Sequence, residues 1–143
     1  MGLISPPFAM NMKVKIEKQS DGSYIAYNET GKEVQLKGTG ATVAEAKTDF
    51  FNTMEEVKET YAELGDAMPD FLTEEAEFNF DISSLFEYYS ILNVSAFARY
   101  LGINESLMRQ YRQGGTPISD KQLEKIETGL HRLGKELTAL KLV

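Results

Sequence analysis

Apolar and charged residues alternate over the first part of the chain, and this period of two predicts β-strands. Val14 and Ile16 alternate with lysine and glutamate, and the turn-forming sequence from Ser20 to Ser23 then introduces a returning strand. The same alternation predicts two more strands further along. The apolar positions of the later strands are Tyr24 to Tyr27 in the second, Val34, Leu36 and Gly38 in the third, and Phe78, Phe80 and Ile82 in the fourth.

A long amphipathic helix is predicted between the third and fourth strands. Thr42-Val43-Ala44-Glu45 is a capping box, in which the Thr42 hydroxyl accepts from the Glu45 amide and the Glu45 side chain reaches back. Gly38-Thr39-Gly40 lacks the Lys-Ser/Thr pair of a phosphate loop, so it predicts a strand-to-helix connection. Seven apolar residues then recur at spacings of three or four, typical of a helix lying on a sheet. They are Val43, Ala46, Phe50, Met54, Val57, Tyr61 and Leu64.

The second half of the chain has a helical period. Ser83 or Ser84 can cap a helix that runs through Leu92, and Ser119-Asp120-Lys121-Gln122 is a second capping box. The inward residues predicted for the helix after this box are Leu123, Ile126, Leu130 and Leu133. For the apolar tail from Leu137 to Val143 we favour a short terminal strand because Gly134 intervenes, with a longer helix as the alternative.

The stretch from Val94 to Gln113 has the spacing of a helix-turn-helix. Gly102 falls where the turn between two steeply crossing helices needs positive φ, and Ala98 is small where the second helix passes. The positions predicted to face inward are Phe97, Ala98, Leu101, Ile103, Met108 and Tyr111. An ordinary helical hairpin with a polar outer face is the alternative interpretation.

The outward side chains of this stretch favour DNA reading over the plain hairpin. Arginine and glutamine make the usual bidentate contacts to guanine and adenine, and lysine neutralises phosphate. The predicted DNA-binding residues are Asn104, Ser106, Arg109, Gln110, Arg112, Gln113 and Lys121. We expect Arg112 and Lys121 to contact phosphate, and we assign no role to Glu105.

The formal net charge of −7 is distributed unevenly along the chain. Residues 1–43 carry a net charge of +1, residues 44–87 one of −11, and residues 88–143 one of +3. The positive segment is therefore the one that contains the predicted helix-turn-helix. There is no cysteine, which fits a reducing cytoplasm, and no run of about 18 apolar residues that would span a membrane. Residues 1–11 are uncharged, too short for a signal peptide, and predicted to be a flexible leader.

An acidic face lies opposite the apolar stripe of the long helix. Its residues are Glu45, Asp49, Glu55, Glu56, Glu59 and Glu63. Such a face is usually only a solvated surface. The functional interpretation is electrostatic, since a surface of this charge would attract a basic, RNA-binding protein partner and cover its RNA site.

We expect no enzymatic activity, cofactor or metal. A ribonuclease-H-type nuclease would need carboxylates converging from strands and helix, and the candidates are Glu17, Glu45 or Asp49, and Asp81. Glu17 is near a strand end and Glu45 is used by the helix cap. A metal site needs several converging ligands, and His131 is the single histidine. No serine or cysteine is paired with it for covalent catalysis.

Three sequence motifs, taken in order, resemble the HicB-type antitoxins. They are Asp21-Gly22-Ser23-Tyr24, then Gly40 to Ala46 (GATVAEA), and finally Leu133-Gly134-Lys135-Glu136-Leu137, and the resemblance covers about Met12 to Val143. It implies a partial ribonuclease-H-like βββαβ domain without activity, which binds and blocks a small basic mRNA-cleaving toxin of the HicA type. It also implies a C-terminal module that dimerises and represses its operon through operator DNA.

The sequence therefore predicts an α+β protein with two domains. Residues 12–82 form the βββαβ partner-binding domain. Residues 83–143 form an all-α helix-turn-helix domain, with a possible terminal strand, for DNA binding and homodimerisation or higher self-association. The connection from Asn28 to Lys32 is shorter than the Pro-containing loop that the family carries there. The alternative function is accordingly a stand-alone helix-turn-helix transcription regulator whose N-terminal domain binds another protein or a small ligand.

Overall fold

The computed structural model describes residues 11–28 and 33–143, and the chain divides into an N-terminal unit, Met1–Tyr88, and a C-terminal unit, Tyr89–Val143. The fold is α+β, as predicted, with a four-stranded mixed sheet and five α-helices in the described residues. The predicted leader falls on residues 1–10, outside the described part, and on Asn11, which is exposed. None of the helices in the described ranges combines the length and the apolar character that crossing a bilayer requires.

The N-terminal unit contains the whole sheet. Its strand order is β3-β2-β1-β4, with β1 antiparallel to β2, β2 antiparallel to β3, and β1 parallel to β4. The elements are β1 (Met12–Lys18), β2 (Tyr24–Asn28), β3 (Lys37–Gly40), α1 (Val43–Leu64), a 3₁₀ turn (Asp70–Thr73), β4 (Ala76–Phe80) and α2 (Ile82–Tyr88). A parallel partner for β1 requires a crossover, and α1 supplies it.

The core of this unit lies between the sheet and α1. Val14, Ile16 and Ala26 point from the sheet toward Val43 and Phe50 of the helix, and all five side chains are fully buried. The predicted capping box is present: the Glu45 amide donates to Thr42 Oγ1 over 3.1 Å, and the Glu45 carboxylate accepts from the Ala41 amide over 2.8 Å. The predicted apolar stripe is buried through Met54, half-buried at Val57 and Tyr61, and exposed at Leu64.

The third strand begins later than predicted because of Asn28. Leu36 donates its amide to Asn28 Oδ1 over 2.7 Å, and Asn28 Nδ2 donates to the Val34 carbonyl over 2.8 Å. This buried side chain satisfies backbone groups that a strand partner would otherwise satisfy, so Val34 and Leu36 precede β3. Gly38 lies within the strand, where an added Cβ would collide with the backbone of Phe50 and Ala46, so this glycine allows α1 to approach closely.

The predictions for residues 82–92 need three corrections. Ile82 begins α2 instead of ending β4, because the Asp81 carboxylate accepts from the Ser84 amide over 2.8 Å and starts a helix there. That helix ends at Tyr88 and not at Leu92. Since Ile82 and Phe86 are buried and α2 packs on β1, the helix belongs to the N-terminal unit. The division therefore falls between Tyr88 and Tyr89, whereas the sequence placed it between residues 82 and 83.

The C-terminal unit is entirely helical. Its elements are α3 (Val94–Leu101), α4 (Glu105–Gln113) and α5 (Asp120–Ala139). The prediction of a terminal strand was wrong, since α5 continues through Gly134 to Ala139 and residues 140–143 form no strand. The Ser119 cap is present, with the Gln122 amide donating to Ser119 Oγ over 3.1 Å. Of the four inward leucine and isoleucine positions predicted for α5, only Ile126 is buried.

Candidate functional site

The clearest candidate site is the exposed side of the pair α3 and α4. Asn93 caps α3 by accepting from the Ala96 amide over 2.8 Å, and Gly102 ends that helix with φ of +72°. The Ile103 amide then donates to the Ala98 carbonyl over 2.9 Å, so the chain turns tightly before α4 begins. Gly102 adopts the left-handed conformation that the sequence required of it, because other residues adopt it only at a cost.

The inward face of this helix pair matches the sequence prediction. All six positions predicted to face inward are buried, and Ala98 and Met108 are fully buried. The six residues are Phe97, Ala98, Leu101, Ile103, Met108 and Tyr111. The register of both helices is thereby fixed, and the polar residues between these positions must point outward.

Each of the seven residues predicted to bind DNA is exposed, but their contacts within the protein differ. Asn104 Oδ1 accepts from the Leu107 amide over 3.0 Å and caps α4, so its side chain is already engaged. Gln110, Arg112 and Gln113 lie on α4 with exposed side chains. Lys121 is in the first turn of α5 and lines a groove of about 550 Å³ together with Lys125 and Arg132.

Arg109 is held at the centre of the α4 face by two hydroxyl groups. Its Nη1 donates to Ser95 Oγ over 3.0 Å and its Nη2 donates to Ser106 Oγ over 3.1 Å. The arrangement therefore joins two predicted residues, Ser106 and Arg109, to a third that the sequence reasoning missed. A guanidinium has five N–H donors, so these two bonds leave donors for a base or a phosphate.

A second contact between α3 and α4 is an ion pair that involves Glu105. Arg99 Nη1 contacts Glu105 Oε1 at 2.9 Å, both side chains being exposed, so the acidic group at the start of α4 is paired within the unit. Arg99 was also missed, because no spacing rule links the end of one helix to the start of the next. Two side chains of α5 also contact this region. Lys125 Nζ donates to the Gly102 carbonyl. Arg132 donates to the Tyr100 hydroxyl, and this hydrogen bond raises the pKa of Arg132.

The acidic face of α1 is exposed at all six predicted positions. Two of its carboxylates have structural roles, because Glu45 caps the helix and Asp49 Oδ2 accepts from the Thr39 amide over 2.9 Å. Glu55 contacts Lys58 at 3.4 Å, an exposed pair within one helix. Glu56, Glu59 and Glu63 complete an acidic ridge along the solvent side of the N-terminal unit.

The carboxylates considered for nuclease chemistry have other partners. Glu17 Oε1 accepts from the Tyr27 hydroxyl over 2.6 Å, and that hydrogen bond raises the pKa of Tyr27 to about 12. Asp81 accepts from the Lys18 and Ser84 amides, each within 3 Å, and so joins β1 to the start of α2. Over the described residues no group of three histidine or acidic side chains converges as a metal site would require, and His131 is exposed on α5.

Comparison with known proteins adds no relative: no family model, no curated protein and no solved structure matches this chain.

Proposed function

We propose that this protein is a HicB-like antitoxin and transcriptional autorepressor whose C-terminal unit binds operator DNA through α4. The observation that carries the proposal is the α3–Gly102–α4 pair, which has six buried inward positions and six exposed polar positions predicted to face DNA, in helix-turn-helix register. The segment that holds the pair has a net charge of +3, although the whole chain has −7. Local positive charge supplies the phosphate attraction on which DNA binding depends.

Within this proposal the residues have different roles. Arg109, oriented by two serine hydroxyls, reads a base edge, while Arg112 and Lys121 contact phosphate. Asn104 acts first as the cap of α4. Arg99 neutralises Glu105, so that this carboxylate does not repel the phosphates of the DNA. Helix-turn-helix proteins bind two DNA half-sites about 34–36 Å apart as dimers, so the proposal includes a homodimer of this chain.

A gel-shift assay with DNA from upstream of the protein's own gene tests it. Arg109→Ala should weaken binding by about 1–3 kcal/mol and relax the choice of base at one position. Lys121→Ala should weaken binding to every sequence alike and reduce the salt slope by about one unit. The control is Lys135→Ala, an exposed cation of α5 in the same unit. A folded protein that retards no DNA at low salt contradicts the proposal.

The N-terminal unit is proposed to neutralise a small basic mRNA-cleaving toxin. The acidic ridge of α1 supports this role, because an opposite charge speeds the encounter and favours a basic partner. Reversing Glu56, Glu59 and Glu63 to lysine should slow association with a small basic protein encoded next to this gene, and the effect should shrink as salt is added. If no such protein is encoded there, the alternative of a regulator without a toxin is favoured.

A further inference from the structure

A groove of about 550 Å³ lies in the C-terminal unit, where the end of α3 meets one side of α5. This volume is within the range of small-molecule binding sites. The floor of the groove is apolar, because the buried Leu101 packs directly on Gly129 of α5. An added Cβ at Gly129 would collide with that leucine, so the glycine lets the two helices meet there. The packing of the unit itself therefore shapes the groove.

Three cations of α5 line this groove in a row. Lys121, Lys125 and Arg132 are spaced by four and then seven residues, so they share one face of the helix. At 1.5 Å per residue, the row extends along the helix axis over about 16 Å. Glu124 is the single acidic side chain among the described residues that line the groove. Three positive charges against one negative charge favour an anionic ligand.

The two lysines lie at one end of the row and have little to bind within the protein. Lys121 has no hydrogen bond or ion pair with any described residue, and Lys125 Nζ reaches only the Gly102 carbonyl, at 3.4 Å. Both lysines are exposed, and residues four apart on a helix are neighbours. Two adjacent ammonium groups of this kind match the oxygens of a phosphate or a diphosphate.

Arg132 lies at the other end of the row and presents a flat group. Its guanidinium carbon is 4.6 Å from the centre of the Tyr100 ring, and its Nε donates to the Tyr100 hydroxyl over 3.0 Å. The ring contact and the hydrogen bond together orient the guanidinium, while the side chain as a whole stays exposed. An oriented guanidinium plane is a surface on which nucleobases stack.

We propose that this groove binds a nucleoside phosphate, with the phosphates on Lys121 and Lys125 and the base stacked on Arg132. A simple inorganic anion would use only one end of the row. A nucleoside phosphate has an anionic end and a flat end, with a sugar between them, and the exposed Thr128 lies between the lysines and the arginine to meet that sugar. This binding site goes beyond the proposed function and does not depend on DNA binding.

A nuclear magnetic resonance titration of the isotope-labelled full chain, without DNA, tests the site. At least one of ADP and GDP should shift the amide signals of Gly129 and Gly102 until they saturate. The amide of Gly65, in the N-terminal unit, is the internal control and should not move. Ribose 5-phosphate lacks the base, and adenosine lacks the phosphate. Each should bind about tenfold more weakly than the better nucleotide, because each lacks one of the two contacts.

Substitutions separate the two ends of the groove. Lys121→Gln should weaken both the nucleotide and ribose 5-phosphate by about three- to fivefold, because both place a phosphate there. Arg132→Lys retains the charge and removes the flat group, so it should weaken the nucleotide by about fivefold or more and leave ribose 5-phosphate unchanged. Lys135→Gln is the matched control, since this exposed lysine of α5 does not line the groove. Far-UV circular dichroism verifies that the variants remain helical.

Three results would overturn the proposal. The first is the absence of a saturable shift at Gly129 with either nucleotide. The second is equal affinity for ribose 5-phosphate and the nucleotides, which would leave only a general anion site. The third is equal weakening by Lys135→Gln and Lys121→Gln, which would leave only surface charge.

The same titration distinguishes this inference from the proposed function, because Lys121 also has a proposed contact with DNA. A DNA duplex that shifts Gly129 when neither nucleotide does so would make the groove part of the DNA interface alone. The inference would then fall while the proposed function stands. Nucleotide binding by a folded chain that retards no DNA would support the inference and contradict the proposed function.

Discussion

The two units of this protein use apolar residues in different ways. In the N-terminal unit, side chains such as Ile16, Leu36 and Phe50 are sealed between the sheet and α1 with no exposed surface. Among the buried hydrophobic side chains of the C-terminal unit, only Ala98 and Met108 have no exposed surface. Several leucines of α5 are exposed to solvent. The N-terminal unit uses its apolar side chains mainly for its own core, whereas the C-terminal unit leaves several of them exposed to solvent.

Truncation of a sealed core residue should have the largest effect. Phe50→Ala removes a ring that has no exposed surface, so it should lower the free energy of unfolding of the N-terminal unit by about 3–5 kcal/mol. Phe51→Ala is the matched control, because Phe51 is half-buried and meets Phe50 and Phe78 only edge to face. Urea denaturation followed by circular dichroism measures both variants. Equal losses for the two would show that this core is not sealed as described.

An intermediate effect is expected at the start of α4 in the C-terminal unit. Asn104→Ala removes the cap that accepts from the Leu107 amide, and should cost about 1 kcal/mol of stability without any DNA present. Asn52→Ala, an exposed position within α1, is the control and should be neutral or slightly stabilising. If Asn104→Ala changes DNA affinity but not thermal stability, the side chain serves DNA and the capping role is wrong.

The smallest effect concerns the hydrogen bond between Tyr27 and Glu17. The folded pKa of Tyr27 is raised to about 12, above its ordinary value of 10.0, so the neutral hydroxyl is favoured in the folded state. The contribution of this bond to stability should be complete below about pH 10 and should be lost as the pH rises toward 12. An absorbance titration of tyrosinate should lose a late phase near pH 12 in Tyr27→Phe. Loss of a phase near pH 10, with the curve near pH 12 unchanged, would contradict the hydrogen bond.

Local sequence chemistry predicted much of this structure. Residues near one another in the chain account for the strands β1 and β2, the helix caps at Thr42 and Ser119, and the left-handed Gly102. The same holds for the six buried positions of α3 and α4. Backbone propensity and the period of apolar residues act over a few residues, and where they agree they leave one local structure.

The remaining features depended on residues distant in sequence or on competing local signals. The Asn28 side chain forms hydrogen bonds with Val34 and Leu36 in place of the first part of the predicted third strand. Asp81 accepts from Lys18 and caps α2, so β4 ends earlier than predicted. The contacts of Arg109 with Ser95 and of Arg99 with Glu105 join α3 to α4, so they depend on how these two helices pack.

The sequence by itself determined the order of elements up to the start of α5, the segregation of charge and the outward polar face of α4. Only the tertiary structure decided that α5 passes through Gly134 and leaves Leu137 exposed, and that α2 belongs with the sheet. The physical reason is that one glycine costs a helix only about 1 kcal/mol, which favourable packing and neighbouring residues readily outweigh. Local signals specify what each segment can form, and the contacts among segments select what it does form.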